Sequence, residues 1–595
     1  MFLRQPSDVI SMNTPIQAGI ALAAMLTVAV MPASAATFGR AAPPGLQADI
    51  EGGAVVPGAS AAGRFLAARH AEAVGNLAAA ADLTMQVLDE IPSSELLKRR
   101  AHLVLVGAGN FDAAASIADE LIVTRSSDPL VIYTLIVRAL QAGQFVQASS
   151  LLDSVPNTGV NAIIAPLLRA WSLAGQGQTD EAAAALNAMA GRNGLATVAG
   201  FHQALILDLG GDTAGAEAAY RKTLEASGGR PSLQLIDSFT RYLVRAGQPE
   251  EASTLVAEFR SQNPQTLLIE PVQAVIDGRE VPDRTIADVC QGVSEVFRNI
   301  ASLLSREQLR TEALLFVRMA LHLEPGNAGS RFSLAQLLEA RDRVDLATEV
   351  YQQIDASSPY SWYARLGMAD AMHSQGETGE AIRLLRGMSY ERPERADATR
   401  ALADLLRIDQ QFDDAVAAYD LAIERLGQEP GWRLLYTRGI ALERAKLWDR
   451  AEKDFLSALE LEPDQPLVLN YLGYSWVEQG VQLERAKEMI ETAVAKRPRD
   501  GFITDSLGWV LYRMGDFEEA VVHLERAVEL EPGDPVINDH LGDAYWIVGR
   551  KQEAEFQWIR ALSLEPDAEL EADIRLKLDG KKVPEPLPPG KNRDI

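Results

Sequence analysis

The residue types that carry out chemistry are thinly spread along these 595 residues. The seven histidines (His70, His102, His202, His322, His373, His523 and His540) show no metal-ligand spacing, so each is expected to pack or to face solvent. Cys290 stands alone, which excludes a disulfide framework and any multi-cysteine metal or iron–sulfur site; a buried, inert thiol is expected there. Paired acids such as Glu250-Glu251 and Glu518-Glu519 fall at helix starts, where the helix dipole accommodates negative charge without any acid–base role. The sequence has no phosphate loop, no glycine-rich dinucleotide turn, no H-E-x-x-H and no G-x-S-x-G. No catalytic residue, metal site or cofactor is therefore expected, and the chain reads as a non-enzyme. Aromatic residues carry more information: six of the eight tryptophans (Trp432, Trp448, Trp476, Trp509, Trp546 and Trp558) lie beyond residue 430. Exposed aromatics among charges are how binding hot spots are built.

The elements that must hold those aromatics come from one recurring spacing. Alanines stand at Ala80, Ala114, Ala148, Ala182, Ala216 and Ala252, then at Ala313, Ala347, Ala381 and Ala415, and at Ala451, Ala486, Ala520 and Ala554. Nine of the thirteen intervals are 34 residues, two are 36, one is 35 and one is 61. Twelve residues after the alanine comes a proline in nine of the fourteen units, from Pro92 to Pro566; five residues before it glycine recurs, as at Gly75, Gly211 and Gly515. Each unit thus reads as a helix, a glycine turn, a second helix and a proline stop. The small alanine lets two helices approach, and larger groups four residues on (Tyr220, Tyr351, Tyr419, Phe455, Trp558) fill the space between units. One pair cannot bury both faces, so neighbours must stack.

Composition agrees with a folded, extended array. The hydrophobic fraction is 47%, ordinary for a folded chain, and the length exceeds what one compact core supports. With 56 Lys and Arg against 82 Asp and Glu, the net charge of −26 argues against sequence-independent nucleic-acid binding. The apolar run Ala18–Val30 is too short to span a bilayer, and Ala33-Ser34-Ala35 has the small-residue pattern of signal cleavage. A signal peptide over 1–35 is expected, with Met1 or Met12 as the start, and a soluble periplasmic protein beginning near Ala36 without a transmembrane segment. No cysteine lies at that terminus, so a lipid anchor is not expected there. The expected organisation continues with a linker (36–60), an N-terminal array (61–264) and an irregular joint (265–293), either a hinge or a degenerate repeat. A C-terminal array (294–568) comes after it, and then a charged capping helix with a proline-rich, disordered tail (569–595).

The repeat resembles the tetratricopeptide repeat family over about residues 61–568, best in 505–534. There Gly508, Tyr512, Gly515, Phe517, Ala520, Leu524, Ala527 and Pro532 stand where the family has small, aromatic, turn and stop residues. The resemblance implies an all-α, right-handed superhelical solenoid of about 14 helix-turn-helix repeats. It also implies a protein-binding groove lined by the first helix of each unit. Mapped onto the last units, the groove positions give Arg433, Tyr436, Asn470, Tyr474, Asp505, Trp509, Arg513, Asp539, Asp543 and Trp546 as partner-binding candidates, with Trp476 and Trp558 as core. Of a carboxylate-clamping set only Asn470 fits, and acids at Asp505, Asp539 and Asp543 are expected to repel a carboxylate, so the groove is expected to prefer a neutral, aromatic-compatible or basic partner.

The runs 470–480, 505–515 and 539–554 further resemble Gram-negative envelope repeat proteins, including the lipoprotein adaptor of a carboxy-terminal processing protease. This implies a periplasmic scaffold that presents protein substrates, such as cell-wall hydrolases, to a protease. The alternative is an assembly factor for an envelope machine in secretion, pilus or cytochrome maturation.

Overall fold

The computed structural model describes residues 60–123, 128–192, 194–427, 429–582 and 584. The expected signal peptide, its cleavage point, the linker up to residue 59 and the tail beyond 584 lie outside the described residues. Every regular element among the described residues is a helix, arranged as successive helix-turn-helix pairs. The residues from Ile382 onward and those up to Ala381 form two compact units.

The repeating alanines explain the pairing. All fourteen, from Ala80 to Ala554, are fully buried, as are Tyr220, Tyr419, Phe455 and Trp558 four residues on. Glycines on the facing helix permit the close approach. A Cβ on Gly508 would lie 2.5 Å from the Leu524 side chain, and one on Gly542 would lie 2.4 Å from the Trp558 indole. Side-chain caps start many helices: Ser60, Asn76, Ser94, Asp128, Asp500 and Asp534 each accept a hydrogen bond from a backbone N–H two or three residues on. The turns between paired helices pass through a left-handed residue. It is glycine at Gly75, Gly109, Gly211 and Gly515 but Gln308, Asp342, Gln410 and Lys446 at the same register elsewhere. The turn is thus kept even where the residue best suited to it is lost.

In the first unit, six pairs run from Ala61–Ala73 with Leu77–Glu90 to Leu233–Arg245 with Pro249–Gln262. The 265–293 segment holds one short helix, Glu270–Ile276, and no helix from Asp277 to Asp288. The segment is tied to the preceding pairs through both backbone and side chains. Arg245 Nη1 donates to the Pro282 carbonyl at 2.9 Å, Arg284 Nε donates to Asp208 at 3.1 Å, and the Ser238 and Thr285 hydroxyls lie 2.7 Å apart.

Beyond this segment the chain does not simply continue the stack. The helices Val289–Arg306 and Arg310–Leu323 turn back onto the first helices of the preceding pairs. The former packs against Asn161–Gly175, Ala196–Gly210 and Pro129–Gln141, the latter against Glu95–Ala108 and Pro129–Gln141. Gly292 sits so close to Trp171 that a Cβ would fall 2.4 Å from the ring. Phe316 lies 6.3 Å from Tyr133 and 5.8 Å from Phe297, and His322 stacks on Phe111 at 4.3 Å. Arg318 Nε donates to the Gly107 carbonyl at 3.1 Å, and burial pulls this guanidinium down to about 10. His202 accepts from Trp171 Nε1 at 3.1 Å and lies 3.2 Å from the Asn299 amide; burial, with Arg298 nearby, holds it neutral at about 3. One continuous core runs from Ala71 to Ala364.

Candidate partner-binding surface

In the second unit the first helices of the last four pairs are Trp432–Arg444, Pro466–Gln479, Gly501–Met514 and Pro535–Ile547, with a terminal helix, Ala568–Leu578, after them. These four first helices carry the ten groove candidates.

The leading half is aromatic and partly open. Arg433 is exposed, with its guanidinium 5.2 Å from the Trp432 ring. Tyr436 is half-buried between Trp432, Phe455 and Tyr471, the last edge-on at 6.0 Å. Burial pushes the Tyr436 hydroxyl up to about 12, against the pull of Arg407 and Arg497. Asn470 is 5% exposed and its Oδ1 accepts no hydrogen bond from the described residues. Tyr474 is half-buried, and burial followed by the charges of Glu478 and Asp505 raises its hydroxyl well above the usual range.

The trailing half is satisfied from within. Asp505 receives His540 Nδ1 at 3.0 Å on both carboxylate oxygens. Burial lowers the His540 imidazole, but the charge and hydrogen bond of Asp505, with Asp539 and Glu478 behind, outweigh it and raise the group. Trp509 is stacked between Tyr512 (4.9 Å) and His540 (4.0 Å), and its Nε1 donates to Glu478 at 2.7 Å. Arg513 also reaches Glu478, at 3.5 Å. Asp539 and Asp543 are both paired with Lys577 Nζ of the terminal helix at 2.8 Å; Asp573 adds a third carboxylate at 3.3 Å. Burial, then the charge of Asp539, holds the Asp543 carboxyl above its usual range in spite of Lys577. Trp546 lies 5.4 Å from the buried Trp558 and under the Lys551 ammonium at 4.8 Å.

The electrostatic expectation for the acids is thereby corrected. Asp505, Asp539 and Asp543 are 5–7% exposed and each meets a cationic or protonatable partner, so they do not present free negative charge to a carboxylate. The reason is that the terminal helix places Lys577 against Asp539 and Asp543, while Pro535–Ile547 places His540 against Asp505. Trp476 and Trp558 are buried, at 1% and 0%. Sequence reasoning missed Lys577 and His540, which complete this network, and Tyr471, whose hydroxyl donates to Glu443 at 3.2 Å. It also missed the apolar first-helix residues Tyr133, Leu167, Trp171 and Phe201 of the first unit. Their run of large apolar groups at groove positions was the available signal that this face is covered.

Residues 505–534 match the sequence model of the tetratricopeptide repeat, and residues 167–231 match a second model of the same repeat. The helix pairs and buried alanines keep the same register. The chain carries tetratricopeptide repeats. Among curated relatives, 192 residues are 28% identical to TPR repeat-containing protein PA4667 of Pseudomonas aeruginosa, 32% of this chain and 32% of that protein. A stretch of 206 residues is 27% identical to human protein O-mannosyl-transferase TMTC1, 33% of this chain and 22% of that protein. The matched region thus spans well under two thirds of either relative. Among solved structures, the APC/C hetero-tetramer Cut9–Hcn1 aligns at a TM-score of 0.38 with 15% identity, over 82% of this tetratricopeptide repeat chain and 97% of that one.

The fold is one that binds other proteins. Among the described residues no helix is long and apolar enough to cross a membrane, and no group of three or more His, Cys, Asp or Glu could hold a metal ion. Cys290 is half-buried, and burial followed by the charge of Asp288 pushes its thiol up, away from nucleophilic reactivity.

Proposed function

We propose that this protein is a non-catalytic periplasmic scaffold that grips a protein partner through the leading half of its second unit, centred on Arg433, Tyr436, Asn470 and Tyr474. The observation that carries this reading is the contrast between two sets of groove positions. In the first unit they lie under helices of the same chain, whereas Arg433 is exposed beside half-buried Tyr436 and Tyr474. A planar cation beside tyrosines suits a neutral or acidic segment. The likeness of the C-terminal runs to envelope adaptors supports a processing protease, or the cell-wall hydrolase it cleaves, as that partner.

Tagged full-length protein isolated from the envelope fraction is expected to carry a periplasmic processing protease or wall hydrolase. An Arg433→Ala/Tyr436→Ala/Tyr474→Ala variant is expected to lose it. Recovery of neither enzyme class, or equal recovery with the triple variant, contradicts the reading. The mass of the mature N-terminus tests the location: a chain intact from Met1 or Met12 removes the periplasm from the proposal.

A further inference from the structure

The returning helices do not seal the whole first-helix face of the first unit. A cavity of about 270 Å³ remains where Ala61–Ala73 and Glu95–Ala108 meet Arg310–Leu323. The turn 340–343 lies against the turn of the first pair and adds Arg341 to the lining; the Arg341 carbonyl is 3.6 Å from where a Cβ on Gly75 would stand. Most of the lining is apolar, with Leu77, Leu103, Val104, Leu314 and Leu315. Leu103 is 36% exposed, so this apolar surface is open to solvent.

The charged groups of the lining are mainly cationic, and they too are accessible. Arg69 is 48% exposed and reaches Glu72 only at 3.6 Å. Arg341 is half-buried and donates Nη1 to the Thr311 hydroxyl at 2.7 Å. Neither guanidinium makes another hydrogen bond among the described residues. Glu72, the one carboxylate of the lining, is already paired with Arg100. Burial pushes the Glu72 carboxyl up against the pull of Arg69 and Arg341, which therefore stand near one another. In a chain of net charge −26, two open guanidinium groups bordering an apolar cavity are a local reversal of sign. They suit an anion that carries an apolar tail. The one uncharged polar side chain of the lining, Thr311, is taken by Arg341, so a plain alkyl chain fits better than a peptide, whose amides would lack partners.

We propose that this cavity binds a medium-chain alkyl carboxylate, its chain against Leu77, Leu103, Leu314 and Leu315 and its carboxylate at Arg69 and Arg341. A cavity of about 150 Å³ is enough for benzene, so the volume here admits a chain of about six to eight carbons.

The test is calorimetric titration of the full chain with octanoate, set against octanol, octylamine, butyrate and N-acetyl-leucyl-leucine, with melting temperature followed alongside. Octanoate is expected to bind saturably at one site and to raise the melting temperature. Octanol and octylamine lack the negative charge and butyrate lacks most of the chain, so each is expected to bind at least about tenfold more weakly. Arg69→Gln, at an exposed position, is expected to lose about tenfold in affinity for octanoate. The proposal is overturned if octanoate gives neither saturable heat nor a rise in melting temperature, as for a cavity that holds only water. It is equally overturned if octanol or octylamine matches octanoate, or if the acetylated dipeptide binds more tightly, comparisons that need no variant to fold.

Discussion

The two units use the same repeat and close their first-helix faces by different chemistry. In the first unit the face of Tyr133, Trp171 and Phe201 is buried under Val289–Arg306 and Arg310–Leu323, by apolar contact centred on Gly292, Phe297 and Phe316. In the second, the trailing part of the face is closed by charge, with Lys577 of the terminal helix set among Asp539, Asp543 and Asp573. Apolar closure is contiguous with the core. Charge closure depends on a single ammonium and leaves the aromatic stretch before it half-open. The repeat itself, then, does not decide which face is offered to a partner; what later helices lay on that face does.

Breaking the charge closure should have the largest effect. Lys577→Met leaves Asp539 and Asp543 buried without their cation and is expected to cost about 3–5 kcal/mol in denaturant unfolding. Asp539→Asn together with Asp543→Asn on that background should restore most of it; a loss under 1 kcal/mol for the single variant would show these carboxylates to be solvated, against about 3 kcal/mol or more for a truly buried set. Breaking the apolar closure should cost less. Gly292→Val drives a side chain into Trp171 and is expected to destabilise the first unit by about 1–3 kcal/mol, with loss of near-ultraviolet dichroism from that buried indole.

The His540–Asp505 pair makes the charge-closed face pH-dependent, with a definite sign. The folded imidazole titrates above its unfolded value of 6.5, so its stabilisation is complete below pH 6.5 and is lost as pH rises through the folded value. Melting temperature between pH 6 and 9 should therefore fall more steeply for the wild type than for Asp505→Asn. Parallel profiles would remove the pair from the account. The smallest expected effects lie in the turns common to both units. Gln308→Gly in the first and Gln410→Gly in the second relieve a left-handed φ of 62° and 61°. Each should gain about 0.5–1 kcal/mol in thermal or denaturant unfolding.

Much of the fold could be read from spacing because helix pairing is a local matter. Ala520 and Leu524 lie one turn apart, Gly508 faces them across a short turn, and all three belong to one 34-residue unit. The return of Val289–Arg306 onto Trp171 could not be read in that way. It joins residues more than a hundred positions apart, and the contact at Gly292 leaves no mark in the repeat register. The same holds at the candidate surface. Tyr436 and Tyr474 were found from their register, whereas the fate of Asp539 and Asp543 was set by Lys577, 38 and 34 positions away on a helix read only as a charged cap. Carboxylates in a groove register are equally compatible with a free acidic wall and with a buried ion pair. Only the position of the ammonium separates the two.

The central claim is that the first unit covers its own first-helix face while the second offers Arg433, Tyr436 and Tyr474 to a partner. Its most direct test is photocrosslinking in envelope extract, with a benzophenone amino acid placed at Arg433 or Tyr474 and, for comparison, at Phe201 or Tyr133. Crosslinks to one protein partner from the second unit's positions, and only intramolecular products from Phe201 and Tyr133, are the expected result. Partner crosslinks from Phe201 or Tyr133, or none from Arg433 and Tyr474, would contradict the account.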